Sequence, residues 1–236
     1  MADNRNRFSA VRVLIFDLDG TLIDSKLDLA LSINGMLGYM GRPPLPHETI
    51  YRFVGNGAPI LVRRALHEGA APGTVKDADA DRGLAYFLSY YRAHMLDNTV
   101  AYPGVREGLE LLLQHPMAVL TNKPVNFSRA ILDGLGLSKY FRYVYGGNSF
   151  EKKKPDPRGV QILLRDMDSS AQEAMMVGDS DVDVRTARNA GIWACGVTYG
   201  LGTDSLRANP PDLLVDSLAD LPPHLGQARK ATELGS

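Results

Sequence analysis

Short apolar segments recur along this chain, and segments with the spacing of amphipathic helices separate them. The first segment, VRVLIF, is rich in β-branched residues and stops at acidic and glycine residues, which is typical of a buried parallel strand. Val160, Leu163 and Met167 illustrate the helical spacing that lies between two such segments. Strands that alternate with helices predict an α/β fold with a parallel sheet. The predicted strands are residues 11–16, 117–120, 143–145, 174–177 and 193–197.

One long interval, from residue 22 to residue 103, lacks a convincing strand and has helical spacing instead. Leu84, Phe87 and Tyr91 belong to a regular apolar stripe, and a further helix is expected over 58–67. A strand–helix–strand unit needs only about 30 residues, so this interval is too long to be a simple connection. We therefore expect a helical domain at 22–97, inserted into an α/β core built from 1–21 and 98–236.

The composition excludes several classes of protein. The 26 Lys and Arg residues balance 27 Asp and Glu residues, so the net charge of −1 argues against nucleic-acid or acidic-membrane binding. Cys195 is the single cysteine, which excludes an internal disulfide and a cysteine-based zinc site. The start has no apolar stretch of the secretory type, and the longest uncharged segment, residues 189–203, is shorter than a membrane span. These features predict a cytoplasmic protein.

Polar residues follow the predicted strands at the points where the strands end. Because ligands of open α/β sheets bind outside the carboxyl ends of the strands, we expect these residues to converge. Carboxylates gathered there would repel one another, and a hard cation such as Mg²⁺, which prefers oxygen ligands, would relieve that repulsion. A lysine and a threonine hydroxyl beside it suit a phosphoryl group, and an aspartate can attack phosphorus. The residues in question are Asp17, Asp19, Gly20, Thr21, Thr121, Asn122, Lys123, Lys152, Lys153, Lys154, Asp179, Ser180, Asp181 and Asp183.

Each of these residues also has an ordinary structural interpretation. A single aspartate after a strand is usually a turn or capping residue, and Thr121 could cap the helix that Pro124 opens. Ser180 and Asp181 could cap the next helix, and a lysine run is usually solvated. Taken together, however, the residues favour metal-dependent phosphoryl transfer through an aspartyl-phosphate.

Four segments carry a resemblance to a known family. DLDGTLIDS at 17–25, TNKP at 121–124, KKPDP at 153–157 and VGDSDVDVRTA at 177–187 together resemble the haloacid dehalogenase superfamily of phosphatases. The resemblance implies a Rossmann-like parallel sheet with an inserted α-helical cap. Within the superfamily, VGNGAPILVRRAL, GVTYG and GGNSFEKKKPDP are similar to the phosphoglycolate phosphatases. Asn148 departs from that subgroup, which often has an acidic residue there.

The resemblance implies a role for each residue at the core of the site. Asp17 would be the nucleophile, and Asp19 would protonate the departing alkoxide and then activate water. Asp19 must hold a proton when the alkoxide leaves. Thr121 and the backbone amide of Asn122 would bind the phosphoryl group, and Lys154 would neutralise phosphate and nucleophile.

The resemblance also implies a metal site. The Asp17 side chain, the Asp19 carbonyl and the Asp179 carboxylate would hold Mg²⁺. Asp183 would not contact the ion but would orient metal-bound water or the lysine. Asp181 is interpreted as a capping residue. The remaining lysines are expected to lie outside the reaction centre, namely Lys123, Lys152 and Lys153.

The cap is expected to select the substrate. Gly55, Asn56 and Gly57 precede a helix and offer backbone amides for a carboxylate, with Arg52 nearby as a cation. These features predict a Mg²⁺-dependent phosphatase that converts 2-phosphoglycolate to glycolate and phosphate. The expected partner is a small-molecule phosphate monoester, and the expected assembly is a monomer or homodimer.

Two alternatives stay open at this point. The first is another capped enzyme of the superfamily, either a phosphatase acting on a sugar phosphate, a nucleotide or pyrophosphate, or a sugar phosphomutase. The second is a non-catalytic phosphate-binding regulatory module on the same fold. That module predicts at least one missing catalytic group, and the sequence retains all of them.

Overall fold

A six-stranded parallel sheet forms the core of the molecule, seen in a computed structural model that describes residues 7–68, 70 and 74–226. Its strands are β1 (Val13–Phe16), β4 (Met117–Leu120), β5 (Tyr143–Tyr145), β6 (Ala174–Gly178), β7 (Trp193–Val197) and β8 (Leu213–Val215). The order across the sheet is β5-β4-β1-β6-β7-β8, and every neighbouring pair is parallel. The predicted Rossmann-like α/β class is therefore confirmed.

Alternate residues of β1 enter two separate apolar clusters, one on each face of the sheet. Leu14 and Phe16 belong to the larger cluster, whereas Val13 and Ile15 belong to the smaller one. A strand buried on both faces has to be apolar at every position, which explains the unbroken VLIF run. Helices cover the sheet, namely α5 (Val105–Leu111), α6 (Val125–Gly134), α7 (Arg158–Asp166) and α8 (Asp181–Ala190).

The interval after β1 is helical, as predicted. Its helices are α1 (Lys26–Tyr39), α2 (His47–Tyr51), α3 (Ala58–His67) and α4 (Asp77–His94). A short antiparallel pair, β2 (Ile23–Asp24) and β3 (Val100–Ala101), joins the two ends of this segment. The exact boundaries at 21/22 and 97/98 stay a prediction. We call the segment from α1 to α4 the cap.

A buried carboxylate ties the two connections of the cap together. Asp28, in the first turn of α1, is buried, and its Oδ1 accepts a hydrogen bond from Asn98 Nδ2 at 2.8 Å. Its Oδ2 accepts from the backbone N of Asn98 at 3.0 Å and of Thr99 at 2.8 Å, and from the Thr99 hydroxyl at 2.7 Å. Four donors compensate the burial of this charge, so the entry and exit of the cap are held side by side.

Two findings concern the environment of the chain. Over the described part of the molecule, every helix is too short or too polar to cross a bilayer.

Cys195 is a buried free thiol in β7, and burial raises its pKa to about 12. A thiol held in its neutral form by apolar surroundings is inert, so Cys195 is part of the core.

Candidate active site

The polar residues that follow the strands do converge at one edge of the sheet. Asp17 follows β1, Thr121 follows β4 and Asp179 follows β6, and β1 lies between β4 and β6 in the sheet. The backbone N of Asp17 donates to Val177 O at 2.9 Å, which fixes the start of this loop to the neighbouring strand. Parallel pairing in the centre of the sheet is thus what brings three distant segments of chain together.

A lysine bridges two of the carboxylates. Lys154 Nζ lies 2.9 Å from Asp17 Oδ1 and 2.6 Å from Asp183 Oδ1, and all three side chains are buried. Although burial alone would lower it, the pKa of Lys154 is raised by these two carboxylates. Asp183 Oδ2 accepts from the backbone N and the hydroxyl of Ser180, which caps α8. Asp183 therefore orients the lysine, one of the two roles expected for it.

Asp179 occupies the opposite side of the same cluster. Its Oδ2 accepts from Gly202 N at 2.8 Å, and its Oδ1 accepts from the Thr21 hydroxyl at 3.4 Å. Asp17, Asp179 and Asp183 each offer a carboxylate oxygen, and these atoms lie within 4.8 Å of one another. All three residues are buried. The cluster is compact enough for one ion to contact several of its oxygens.

The carboxylates of this cluster carry an unfavourable concentration of negative charge. Burial raises the pKa of Asp17 to about 6, with Lys154 opposing the shift and Asp183 adding to it. Burial, together with repulsion from Asp183 and Asp17, raises the pKa of Asp179 to about 7. Oxygen donors of this kind, held close together and short of positive charge, fit a hard divalent cation such as Mg²⁺.

Asp19 has two partners that the sequence did not predict. Lys123 Nζ lies 3.0 Å from Asp19 Oδ1, and the Ser25 hydroxyl donates to the same oxygen. Lys123 is buried, and its pKa is raised because the Asp19 carboxylate and the Tyr91 phenol outweigh the effect of burial. The expectation that Lys123 lies outside the reaction centre is therefore wrong. Ser25 precedes α1, but its hydroxyl makes no capping bond to that helix.

A cleft between the cap and the sheet edge leads to these residues. It includes about 490 Å³ of empty space, counting the open solvent at its mouth. Gly55 and Gly57 line the cleft, as do Thr121 and Asn122. Arg52 does not, since its side chain is exposed and its guanidinium contacts the Thr49 hydroxyl at 3.4 Å, so the expectation that it binds substrate is not supported by its position.

Two hydrogen bonds fasten the loop at 55–57 onto the core. Asn122 Nδ2 donates to Gly55 O at 3.1 Å, and Lys153 Nζ donates to Asn56 O at 2.7 Å. A Cβ at Gly57 would lie 3.0 Å from both Asn122 O and Lys153 Nζ, so the loop packs tightly there. Lys153 is thus a contact between cap and core, and we call this pair of hydrogen bonds the latch. Lys152 is exposed, as expected.

The remaining expectations concern residues near the helix termini. Asn148 Oδ1 accepts from Val125 N at 2.8 Å, at the start of α6, so its amide oxygen does what an acidic side chain could also do there. Asp181 begins α8 and pairs with Arg185 at 3.0 Å, away from the carboxylate cluster. Thr121 Oγ1 accepts a long bond of 3.3 Å from Lys123 N.

Comparison with known proteins agrees with this architecture. The family model described as haloacid dehalogenase-like hydrolase matches residues 14–197. A phosphoglycolate phosphatase of Pseudomonas putida is 42% identical over 216 residues, covering 90% of this chain and 79% of the relative. Phosphoglycolate phosphatase 1 of Pseudomonas aeruginosa is 38% identical over 221 residues, covering 92% and 80%.

Solved structures lead to the same family. The crystal structure of a predicted phosphoglycolate phosphatase from Haemophilus somnus 129PT has a TM-score of 0.85 and 32% sequence identity, and the match covers 90% of this chain and 97% of that one. The match includes the sheet and the cap, because it spans nearly the whole of both chains. The chain belongs to the family of haloacid dehalogenase-like hydrolases.

Proposed function

We propose that this hydrolase is a Mg²⁺-dependent phosphatase of small phosphate monoesters, with 2-phosphoglycolate as its substrate and glycolate and phosphate as products. The observation that carries the proposal is the buried cluster in which Lys154 bridges Asp17 and Asp183 beside Asp179. It combines a nucleophile with the positive charge that a phosphoryl group needs. The relatives named phosphoglycolate phosphatase support the choice of substrate.

The Asp17 carboxylate, the Asp19 carbonyl and the Asp179 carboxylate would hold Mg²⁺, and Asp183 would support them through Lys154. When bound, the ion would supply positive charge for the oxygens of the phosphoryl group. Gly202 N and the Thr21 hydroxyl keep Asp179 in place for this role. The raised pKa values of Asp17 and Asp179 support a cation here, because a cation favours the ionised carboxylates.

The reaction begins with attack by Asp17. Both donors that reach its carboxylate from the described residues, Leu18 N at 2.7 Å and Lys154 Nζ at 2.9 Å, contact Oδ1, so Oδ2 is the oxygen available for attack. A bond forms between Oδ2 and phosphorus, and the bond from phosphorus to the ester oxygen breaks. Asp19 gives its proton to that oxygen, which leaves as the hydroxyl of glycolate.

The second step returns Asp17 to its original form. Asp19 takes a proton from water, the water oxygen bonds to phosphorus, and the bond between phosphorus and Asp17 breaks. Lys123 and Ser25 hold the Asp19 carboxylate in one orientation for both transfers. The hydroxyl of Thr121 and the amide of Asn122, both at the cleft, would bind the phosphoryl oxygens.

The cleft favours a small substrate over a sugar phosphate. Many of its lining side chains are apolar, so the hydroxyl groups of a sugar would lose water without gaining partners. The backbone at Gly55 and Gly57 lies in the same wall and would contribute amide dipoles toward an anionic group.

A panel of phosphorylated metabolites, assayed with and without Mg²⁺, tests this function. We expect the highest kcat/KM for 2-phosphoglycolate, well above glucose 6-phosphate, AMP and pyrophosphate, and no turnover by Asp17→Asn. A preference for hexose phosphates would overturn the substrate, and substantial turnover by Asp17→Asn would overturn the mechanism. A pH–rate profile left unchanged by Asp19→Asn would remove the acid–base role of Asp19.

Location and assembly are further parts of the proposal. We infer a cytoplasmic protein, supported by a free, buried Cys195 that needs no oxidising compartment. A monomer or homodimer is expected, and sedimentation of the purified chain would measure it.

A further inference from the structure

The cleft beyond the reacting atoms is almost entirely apolar, with one basic side chain among its described lining residues. That side chain is Lys123, which is buried and paired with Asp19, so it brings a fixed positive charge to the cleft. The other polar side chains of the lining are Asp17, Asp19, Tyr91, Thr121 and Asn122. The apolar part of the lining comprises Leu29, Val54, Leu61, Phe87, Leu88 and Phe127.

Tyr91, from α4 of the cap, meets Lys123 across the cleft. Its ring centroid is 4.6 Å from Lys123 Nζ, so the ammonium lies over the aromatic face. Tyr91 is only 1% exposed, and its hydroxyl proton has no acceptor among the described residues, because Lys123, which interacts with the phenol, can only donate. A buried donor without an acceptor is unfavourable, so a ligand that supplies an acceptor would stabilise this arrangement.

Lys123 can also donate a hydrogen bond to a ligand in addition to its bonds to Asp19. An ammonium carries three N–H donors. The two Asp19 oxygens lie 3.0 and 3.3 Å from Nζ and belong to one carboxylate, and the centroid of the Tyr91 ring lies 4.6 Å away. Lys123 and the Tyr91 hydroxyl, which both line the cleft, therefore present a positive charge beside an unused donor, which suits an anionic oxygen.

We propose that Lys123 and Tyr91 together bind the carboxylate of the leaving group, and so select a short phosphorylated hydroxy acid. The proposal deepens the function given above and rests on it. Asp19 lies beside the ester oxygen in that mechanism, and Lys123 contacts Asp19 directly. The carboxylate carbon of 2-phosphoglycolate is two bonds from the ester oxygen, so a carboxylate at Lys123 requires an acid this short.

In this proposal the substrate carboxylate is bound by a lysine of the core, and not by the cap loop at 55–57 or by Arg52. Arg52 is outside the cleft, and the carbonyls of Gly55 and Asn56 are held by the latch. The loop amides are neutral dipoles, whereas Lys123 is a full charge in a dry setting, where an ionic hydrogen bond is stronger. Lys123 and Tyr91 are thus specificity-determining residues, one on each side of the cleft.

A matched pair of substrates tests the proposal. 2-Hydroxyethyl phosphate has the length of 2-phosphoglycolate but ends in a hydroxyl group instead of a carboxylate. We expect Lys123→Met to reduce the preference of kcat/KM for 2-phosphoglycolate over this analogue by about 10- to 100-fold. Tyr91→Phe, which keeps the ring, should reduce the same preference by about 3- to 10-fold. Lys123→Arg should retain most of it.

The control is Lys139, a surface lysine that also lies beside a carboxylate and a tyrosine ring. Its Nζ lies 3.1 Å from Glu110 and 4.7 Å from the Tyr140 ring centroid, but it is exposed. Lys139→Met should leave the preference unchanged. Binding of glycolate, followed by ligand-observed NMR without Mg²⁺, should weaken in Lys123→Met and Tyr91→Phe and not in Lys139→Met.

The outcomes separate the two proposals. If the unmodified enzyme prefers 2-phosphoglycolate and Lys123→Met keeps that preference, or loses activity equally on both substrates, the role of Lys123 is overturned and the proposed function stands. If the unmodified enzyme shows no preference between the two substrates, the proposed substrate and the carboxylate site are both overturned. Should Lys123→Met fail to fold, Tyr91→Phe and the glycolate measurement decide: an unchanged preference and unchanged binding contradict the site.

Discussion

At the scale of single residues, the site depends on one glycine that permits close packing. Gly20 has a φ of +86°, and a Cβ there would collide with the Asp179 carboxylate. This position requires both a left-handed backbone and the absence of a side chain. Asp179 can therefore approach the turn that carries Asp17 and Asp19 only because residue 20 is glycine.

Gly20→Ala should lower kcat/KM by about 100-fold, because displacing Asp179 by even 1 Å disturbs the placement of the reacting groups. Titration with Mg²⁺ should show weaker binding in the same variant. Gly41→Ala is the control: it has a φ of +69° and nothing within 4 Å of the added Cβ, so it carries the backbone strain alone. An equal loss of activity in both variants would contradict the role given to Asp179.

The sequence was sufficient to predict the core residues of the site, but not their neighbours. Asp17, Thr121, Lys154 and Asp179 follow strands or match known motifs, and parallel pairing brings them together. Lys123 also follows a strand and lies in the TNKP segment, but its burial against Asp19 could not be predicted in this way. Whether a lysine turns inward depends on what the cap places opposite it, and Tyr91 is 32 positions earlier in the chain.

At the scale of elements, the latch joins the loop before α3 to the loops after β4 and β5. The ammonium of Lys153 donates to Asn56 O at 2.7 Å, a bond between a charge and a carbonyl that holds the cap over the cleft. Gly55 and Gly57, on either side of Asn56, line the cleft, so this bond bears directly on substrate access.

Lys153→Met should raise KM for 2-phosphoglycolate by about 3- to 10-fold and change kcat less, because the cap would close less often over bound substrate. Steady-state kinetics measures both constants. Lys152→Met removes an adjacent, exposed lysine and should behave as the unmodified enzyme. A fall in kcat with unchanged KM would place Lys153 in the chemistry instead of in closure.

Prediction of elements succeeded where burial dictates composition. The bounds predicted for β4, β5, β7 and α3 agree with the structure, and of these β4 and β7 are almost fully buried and α3 is strongly periodic. β8 was missed although β5, which has no buried residue, was found, so burial alone does not decide which edge strand the sequence reveals. The pair β2 and β3 was missed because two-residue strands have no period to detect.

At the scale of the whole molecule, the buried carboxylates make stability depend on pH. Without metal, the folded chain holds Asp17 and Asp179 with pKa values of about 6 and about 7, both above their ordinary value of 3.8. Between about pH 4 and pH 7 the folded state therefore binds more protons than the unfolded state, and its stability falls as pH rises.

The metal-free protein should thus be more stable to urea at pH 5 than at pH 8, and Mg²⁺ should restore stability at pH 8. Each group contributes at most about 1.4 kcal/mol per pH unit within its window. Asp179→Asn removes one titrating group and takes a negative charge away from the surroundings of Asp17. The stability of this variant to urea should therefore depend less on pH. If the stability of Asp179→Asn and of the unmodified protein changed equally with pH, the carboxylate cluster would not be the cause of the pH dependence.

The central place of β1 in the sheet has a consequence for the folding of this protein during its synthesis. Residue 13 is made long before its partners, which begin at residues 117 and 174, after the cap in the chain. At about 5–20 residues per second, the strand that carries the nucleophile waits for about 8–30 s before its last neighbour is made. The apolar VLIF strand has both edges unpaired until β4 is made and one edge unpaired until β6 is made, and such a strand is prone to aggregate. Fast synthesis, or a chaperone that holds the nascent amino terminus, would therefore favour a high yield of active enzyme.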